Sequence, residues 1–229
     1  LYPQNPHAKA WEEKMKEFCM NVYSVYQDHV DYSWFIDKPV REWVKTINVF
    51  PDLTLENHGS FQPIYHQSYD HVGKGYLAYK LTNTEPPPHM LWKVRDVFEV
   101  VKRFILWKGR IAFTNGDDWP WVGGPLGGYL HTHPGLFPAA LGDPVGLELV
   151  RLSFNYADKL QRHWMDGSFY GDSIHPDTET LRRIYGDTLG SYYMEADAAS
   201  FFASAYLFNL TGQLASAAEM EKQALGTYS

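Results

Sequence analysis

The stretch ENHGSFQPIYHQSY, which begins at position 56, places amide, imidazole and phenol side chains close together. Asn57 and His58 are adjacent, and Tyr65, His66 and Tyr69 follow at helical spacing. Removing the proton beside a uronate carboxylate, with loss of the glycosidic oxygen, requires a group that neutralises the carboxylate, a base and an acid. Amide donors can bind the carboxylate, while His or Tyr can transfer the protons. The stretch therefore contains the side chains that a β-elimination needs.

The run ENHGSF, with the two tyrosines downstream, resembles the Asn-His segment of polysaccharide lyases built on an incomplete α/α toroid, the alginate-lyase and heparinase-like groups. The wider pattern of GSF, a His and a Tyr, and then GKGY is similar to a segment of the hyaluronate and chondroitin lyases. These matches cover about a tenth of the chain. In those families an Asn neutralises the substrate carboxylate, a His or Tyr takes the proton, and a Tyr protonates the leaving group.

The resemblance implies a function and a role for each residue. The function is cleavage of a uronic-acid-containing polysaccharide by β-elimination, with an acidic polysaccharide or oligosaccharide as the partner and no cofactor. Asn57 would neutralise the carboxylate, and His58 would be the base or a second carboxylate donor. Tyr65 or Tyr69 would be the acid.

Structural interpretations of the same residues stay open. A His that follows an Asn at a helix start often belongs to a cap or to the core, and for His58 alone this outcome is as frequent as catalysis. Tyr65, His66 and Tyr69 at helical spacing are individually more typical of core or groove residues than of catalysts.

A second group of functional side chains lies in the Gly- and Pro-rich segment over residues 109–143. Loops of this length are uncommon in compact domains and are often functional. A guanidinium can bind a carboxylate through two parallel hydrogen bonds, and Trp rings can stack on sugars. The candidate substrate-binding residues in this segment are Arg110, Trp119, Trp121, His131 and His133, and His66 of the first stretch is a further candidate.

The same loop supports two alternative chemistries. Asp117, Asp118, His131 and His133 are ligand types for a divalent metal, but the Asp pair is distant from the His pair and no HExxH motif occurs, so we expect no metal. Asp117 or Asp118 could instead be the acid or base of an α/α-barrel glycoside hydrolase. A non-catalytic helical module that binds glycans is the third alternative.

Composition excludes several partners. The net charge is −7 and no Lys/Arg run occurs, so we expect no nucleic acid. No apolar run approaches the ~20 residues that span a bilayer, so we expect no membrane. Cys19 is the single cysteine, which predicts a buried thiol and no intrachain disulfide. The chain begins with Leu, so we expect a processed protein or part of a longer one, which leaves a secreted or periplasmic location open.

Apolar spacing predicts the elements that position these residues. Amphipathic helices are expected over residues 6–31, 61–81 with glycine interruptions, 90–107, 144–164, 195–210 and 212–225, with a turn-rich loop over residues 32–54. No long stretch alternates with a period of two, so no large sheet is expected.

These elements predict an all-α fold in which antiparallel helical hairpins form an incomplete α/α toroid or part of one. We expect a single α/α domain over residues 1–229, complete or joined to further domains of the same chain. Loops of neighbouring hairpins gather at one end of such an array, which would bring Asn57 and His58 near the segment 109–143.

Overall fold

The computed structural model of the chain is mostly helical, which confirms the helical part of the all-α prediction. The chain divides into two compact units, residues 1–100 and residues 101–229, and each is described by itself. The single domain and the toroid stay predictions. The structure describes residues 4–57, 60–61, 63–106, 111–112, 134–165 and 189–214.

The first unit combines helices with two small β-hairpins. One hairpin pairs β1 with β2 and the other pairs β3 with β4, both antiparallel. The described residues contain no larger sheet, as expected. The α-helices are α1 (Ala8–Val22), α2 (Val40–Trp43), α3 (Tyr69–Leu81) and α4 (Val94–Lys102), the last containing the boundary between the units. The strands are β1 (Trp34–Phe35), β2 (Lys38–Pro39), β3 (Glu56–Asn57) and β4 (Ser60–Phe61), and 3₁₀ helices cover Tyr26–Val30, Pro63–Ser68 and Pro88–Leu91.

Helix α1 is shorter than its apolar pattern predicts. It ends at Val22, and Val25 is extended, with its backbone N–H donating to the Asp28 carboxylate at 2.8 Å. This hydrogen bond satisfies the Val25 N–H at the start of the 3₁₀ helix Tyr26–Val30 and favours a change of chain direction between the two helices. Trp11 and Phe18, which the pattern places on the apolar face, are exposed. The prediction of one helix over residues 6–31 is therefore wrong.

A buried asparagine joins the end of α1 to the chain beyond α2. The Asn21 side-chain amide donates to the carbonyl oxygen of Trp43, and its Oδ1 accepts from the backbone N–H groups of Lys45 and Thr46. Asn48 donates in turn to the Asn21 carbonyl oxygen at 2.6 Å. Buried amides remain favourable only when hydrogen-bonded in this way, so Asn21 fixes the course of the loop.

Four aromatic side chains pack together in the first unit. His89 lies edge-on to Trp43, with ring centroids 4.4 Å apart, and to Phe35 at 5.3 Å. Phe35 also contacts Trp92 edge-on at 4.8 Å. Such edge-to-face pairs are the favoured geometry of buried rings. This aromatic cluster attaches β1 to the 3₁₀ helix Pro88–Leu91.

Helix α3 runs through the glycines that were expected to interrupt it. Gly75 faces the chain near Met90, and a Cβ at this position would lie 2.8 Å from the Met90 Cε. The glycine therefore allows close packing rather than a break. Tyr69, at the start of α3, packs edge-on against Phe98 of α4 with ring centroids 6.2 Å apart.

The second unit contains α5 (Leu136–Ala140), α6 (Pro144–Trp164) and α7 (Leu189–Leu210). The Asp143 carboxylate caps α6 by accepting from the N–H groups of Val145 and Gly146, and Lys102 pairs with it at 2.8 Å. α6 has the bounds that its sequence predicts. None of the described helices, α7 included, is long and apolar enough to cross a bilayer. The buried apolar residues described in α7 recur at steps of three and four, namely Ala198, Phe201, Ala205 and Phe208.

Candidate functional site

The Asn-His stretch begins in a β-hairpin. Asn57 pairs with Ser60, and Glu56 pairs with Phe61 on the neighbouring strand. The structural alternative that the Asn-His pair lies at a helix start therefore does not hold for Asn57, whose backbone is extended. The Asn57 side chain and the whole of His58 lie outside the described residues, so their roles stay predictions.

The 3₁₀ helix that follows this hairpin is anchored to the end of α1. The buried Tyr23 hydroxyl donates to the His66 carbonyl oxygen at 3.0 Å and lies 2.9 Å from the Ser68 Oγ. Burial raises the pKa of the Tyr23 phenol well above its ordinary range, which keeps it protonated. A neutral hydroxyl can supply both contacts, so Tyr23 holds the helix in place.

His66, a predicted substrate-binding residue, is only 1% exposed. Its Nε2 donates to the Leu53 carbonyl oxygen at 2.8 Å, and its ring lies edge-on to Phe61 at 5.3 Å. The Leu53 backbone has a left-handed φ of 64°, in a turn that the Asp52 carboxylate closes by accepting from the Thr54 N–H. The imidazole thus joins the 3₁₀ helix to this turn, and its geometry favours a positioning role.

The two candidate acids differ in their exposure to solvent. Tyr65, in the 3₁₀ helix, is 39% exposed, whereas Tyr69 is 0% exposed and packs against Phe98. Tyr65 is thus partly open to solvent, where a soluble substrate can meet it, but contact with Tyr69 would require the core to open. Tyr65 is therefore the better candidate of the two for proton transfer.

The remaining predicted site residues lie outside the part of the chain that the structure describes. The expected proximity of Asn57 to the loop over residues 109–143 stays a prediction for the same reason. Among the described residues, no group of three or more His, Cys, Asp or Glu side chains could hold a metal ion. The predicted site residues outside the described ranges are His58, Arg110, Asp117, Asp118, Trp119, Trp121, His131 and His133.

The residues that stabilise this site were not predicted from the sequence. Tyr23 was assigned only to the amphipathic helix over residues 6–31, and the Leu53 carbonyl lay in the predicted loop. Tyr23 and His66 are 43 positions apart, so no local pattern indicates their contact. Tyr32 and Trp34 were likewise assigned to the turn-rich loop, although their spacing of two residues is typical of one face of a strand.

No protein-family model, curated protein or solved structure matches this chain. The candidate site is supported by its own residues and by the short resemblance around Asn57.

Proposed function

We propose that the chain cleaves a uronate-containing polysaccharide by β-elimination. The observation that supports this most is the exposure of Tyr65, on a 3₁₀ helix that directly follows the Asn57 hairpin and is anchored by Tyr23 and His66. Anchoring matters because proton transfer requires an acid held at a fixed position. The α/α toroid belongs to the same proposal and is supported by the predominance of helices.

In the proposed reaction the base removes the proton from the carbon next to the carboxylate. The released electron pair forms a double bond to the neighbouring carbon, whose bond to the glycosidic oxygen breaks. Tyr65 donates a proton to that oxygen, and the base carries away the first proton. The products are an unsaturated uronate and a free hydroxyl group, so no oxidant or reductant is consumed.

Charge at the carboxylate controls the barrier to this reaction. Loss of the proton places negative charge on the carboxylate oxygens, and Asn57 is proposed to donate a hydrogen bond there, with His58 as the base or a second donor. One such donor contributes about 10²- to 10³-fold to the rate, and general acid–base catalysis contributes about 10²- to 10⁴-fold. Neither group alone accounts for a large acceleration.

The products formed from a panel of polysaccharides test this proposal. The chain would be incubated with alginate, glucuronan, chondroitin, hyaluronan, heparin and pectin while ultraviolet absorbance and reducing ends are measured. Elimination raises both signals, because the conjugated double bond absorbs where intact sugars do not. New reducing ends without absorbance would contradict elimination and favour a hydrolase, for which Asp117→Asn and Asp118→Asn should be severe. Binding without either signal would favour a non-catalytic module.

A further inference from the structure

Two exposed aromatic residues lie in the strand β1 of the β1–β2 hairpin and just before it. Tyr32 is 68% exposed and Trp34 is 71% exposed, although large rings usually bury most of their surface. Side chains two positions apart in an extended segment point to the same side, roughly 7 Å from each other, which would set the two rings side by side. The intervening Ser33 carbonyl accepts from the Val40 N–H at 2.9 Å, which keeps the segment extended.

A guanidinium extends this aromatic surface. Arg41 lies in the first turn of α2, and its backbone N–H donates to the Asp31 carbonyl oxygen at 3.0 Å, which holds Arg41 beside the segment that carries Tyr32. The Arg41 guanidinium carbon lies 4.1 Å from the Tyr32 ring centroid. Within the described part of the chain, no carboxylate pairs with Arg41. Its outer N–H groups are therefore available to a ligand carboxylate.

The inner side of the hairpin is fixed by the aromatic cluster. Phe35 contacts His89 and Trp92 edge-on, and the Trp43 indole N–H donates to the Phe35 carbonyl oxygen at 3.2 Å. Lys38 covers the Trp43 ring, with its Nζ 3.4 Å from the ring centroid. A surface held rigid before binding loses little conformational entropy when the ligand arrives.

We propose that Tyr32, Trp34 and Arg41 form a secondary binding surface for a uronate oligosaccharide, here termed the hairpin platform. The two rings would stack on the C–H faces of neighbouring sugars while Arg41 binds a carboxylate in a bidentate manner. The inference rests on the proposed function for the substrate class. The platform would hold a long substrate while the Asn57 segment performs the reaction.

The charges around the platform favour a glycan over an anionic membrane. The chain carries a net charge of −7, and Asp31 and Asp37 are close in sequence to the two rings. A planar anionic surface would meet the repulsion of the whole acidic chain, whereas a single sugar chain can be held by short-range contacts with a few side chains. The Asp31 carboxylate is already engaged with the Ser33 N–H at 2.7 Å.

Calorimetric titration with hexasaccharides of alginate, polygalacturonate and hyaluronan tests the platform. A Tyr65→Phe background limits cleavage during the titration, and Trp34→Ala and Arg41→Ala are introduced into it. Each change should raise the Kd for the acidic ligand that binds by about tenfold or more. Trp11→Ala, which removes another exposed Trp of the same unit, should change the Kd less than twofold. Circular dichroism checks that each variant is folded.

The outcomes separate the platform from the proposed reaction. In the otherwise unmodified chain, Trp34→Ala should raise the KM for polymer while leaving kcat on short oligosaccharides unchanged. Unchanged affinity in both Trp34→Ala and Arg41→Ala, or no binding of any hexasaccharide, would overturn the platform even if absorbance rises on the polymer. Loss of binding in both variants, with no absorbance from the chain on any polymer, would support the platform and reject elimination.

Discussion

His89 is buried among aromatic rings, and neither of its ring nitrogens has a hydrogen-bond partner in the described part of the chain. Burial is the main cause that lowers the pKa of His89 below its ordinary value of 6.5, and Lys16 and Lys38 lower it further. Asp37 and Glu13 oppose this shift. The imidazole is therefore neutral in the folded chain at neutral pH.

The free energy of unfolding should consequently decrease in acid. The unfolded chain binds a proton at His89 at a higher pH than the folded chain does, so the stabilisation is fully present above about pH 6.5 and is lost as the pH falls below it. Urea unfolding followed by tryptophan fluorescence at several pH values measures this slope. His89→Leu should flatten the slope, whereas His7→Gln, at an exposed position, should not. An equal slope in His89→Leu and the unmodified chain would contradict the assignment.

Cys19 should be chemically inert while the chain is folded. The thiol is buried, as its sequence context predicts, and burial raises its pKa to about 11. Both effects suppress the thiolate that reacts with disulfide reagents. Labelling with dithiobis(nitrobenzoate) at mildly alkaline pH should be slow in buffer and should reach one thiol per chain in urea. Rapid, complete labelling in buffer would show that Cys19 is accessible.

At the scale of elements, two helical glycines should respond differently to the same substitution. A Cβ at Gly146 of α6 would lie 2.7 Å from the Ala139 backbone nitrogen, in the close contact between α5 and α6. The Cβ at Gly75 would instead meet the flexible end of Met90. Gly146→Ala should therefore lower the free energy of unfolding by about 1–3 kcal/mol, because overpacking outweighs the better helix propensity of Ala.

Gly75→Ala is the matched control for this effect. The Met90 methyl can rotate away, so the gain in helix propensity should leave the stability unchanged or slightly higher. Urea unfolding of both variants gives the two values. Equal destabilisation by the two substitutions would show that the α5–α6 contact imposes no special demand for glycine at position 146.

Local signals were sufficient to predict some elements. α6 was expected over residues 144–164 and is observed over Pro144–Trp164, because a proline in its first turn and a strong apolar periodicity mark it. α1 was predicted to be too long, since its end depends on Asp28, whose carboxylate also binds Lys93, 65 positions away. Long-range contacts of this kind do not affect the local spacing of apolar residues, so the sequence pattern does not reveal them.

The candidate site was likewise predictable from local sequence only in part. Its residue types and order follow directly from the stretch that begins at position 56, and so does the idea of a phenolic acid. The choice of Tyr65 over Tyr69 could not be predicted, because helical spacing does not reveal which side chain faces the core. The strand at Asn57 was missed because two-residue strands are too short to show alternation.

At the scale of the whole molecule, the net charge of −7 opposes the approach of a polyanionic substrate. Binding of the proposed substrate would then depend on short-range contacts, such as those proposed for the rings and the guanidinium of the hairpin platform, rather than on long-range attraction. The sequence composition leaves this possibility open, because a local cation can bind a carboxylate on an acidic protein.

The initial rate of absorbance increase on the most active uronate polymer tests the central claim most directly. Tyr65→Phe keeps the ring and removes the acidic hydroxyl, and Tyr26→Phe makes the same change at another exposed tyrosine in a 3₁₀ helix. Tyr65→Phe should lower the rate by about 10²-fold or more, and Tyr26→Phe should leave it unchanged. A Tyr65→Phe rate equal to that of the unmodified chain, or no absorbance increase from the unmodified chain on any polymer, would contradict the proposed elimination at this site.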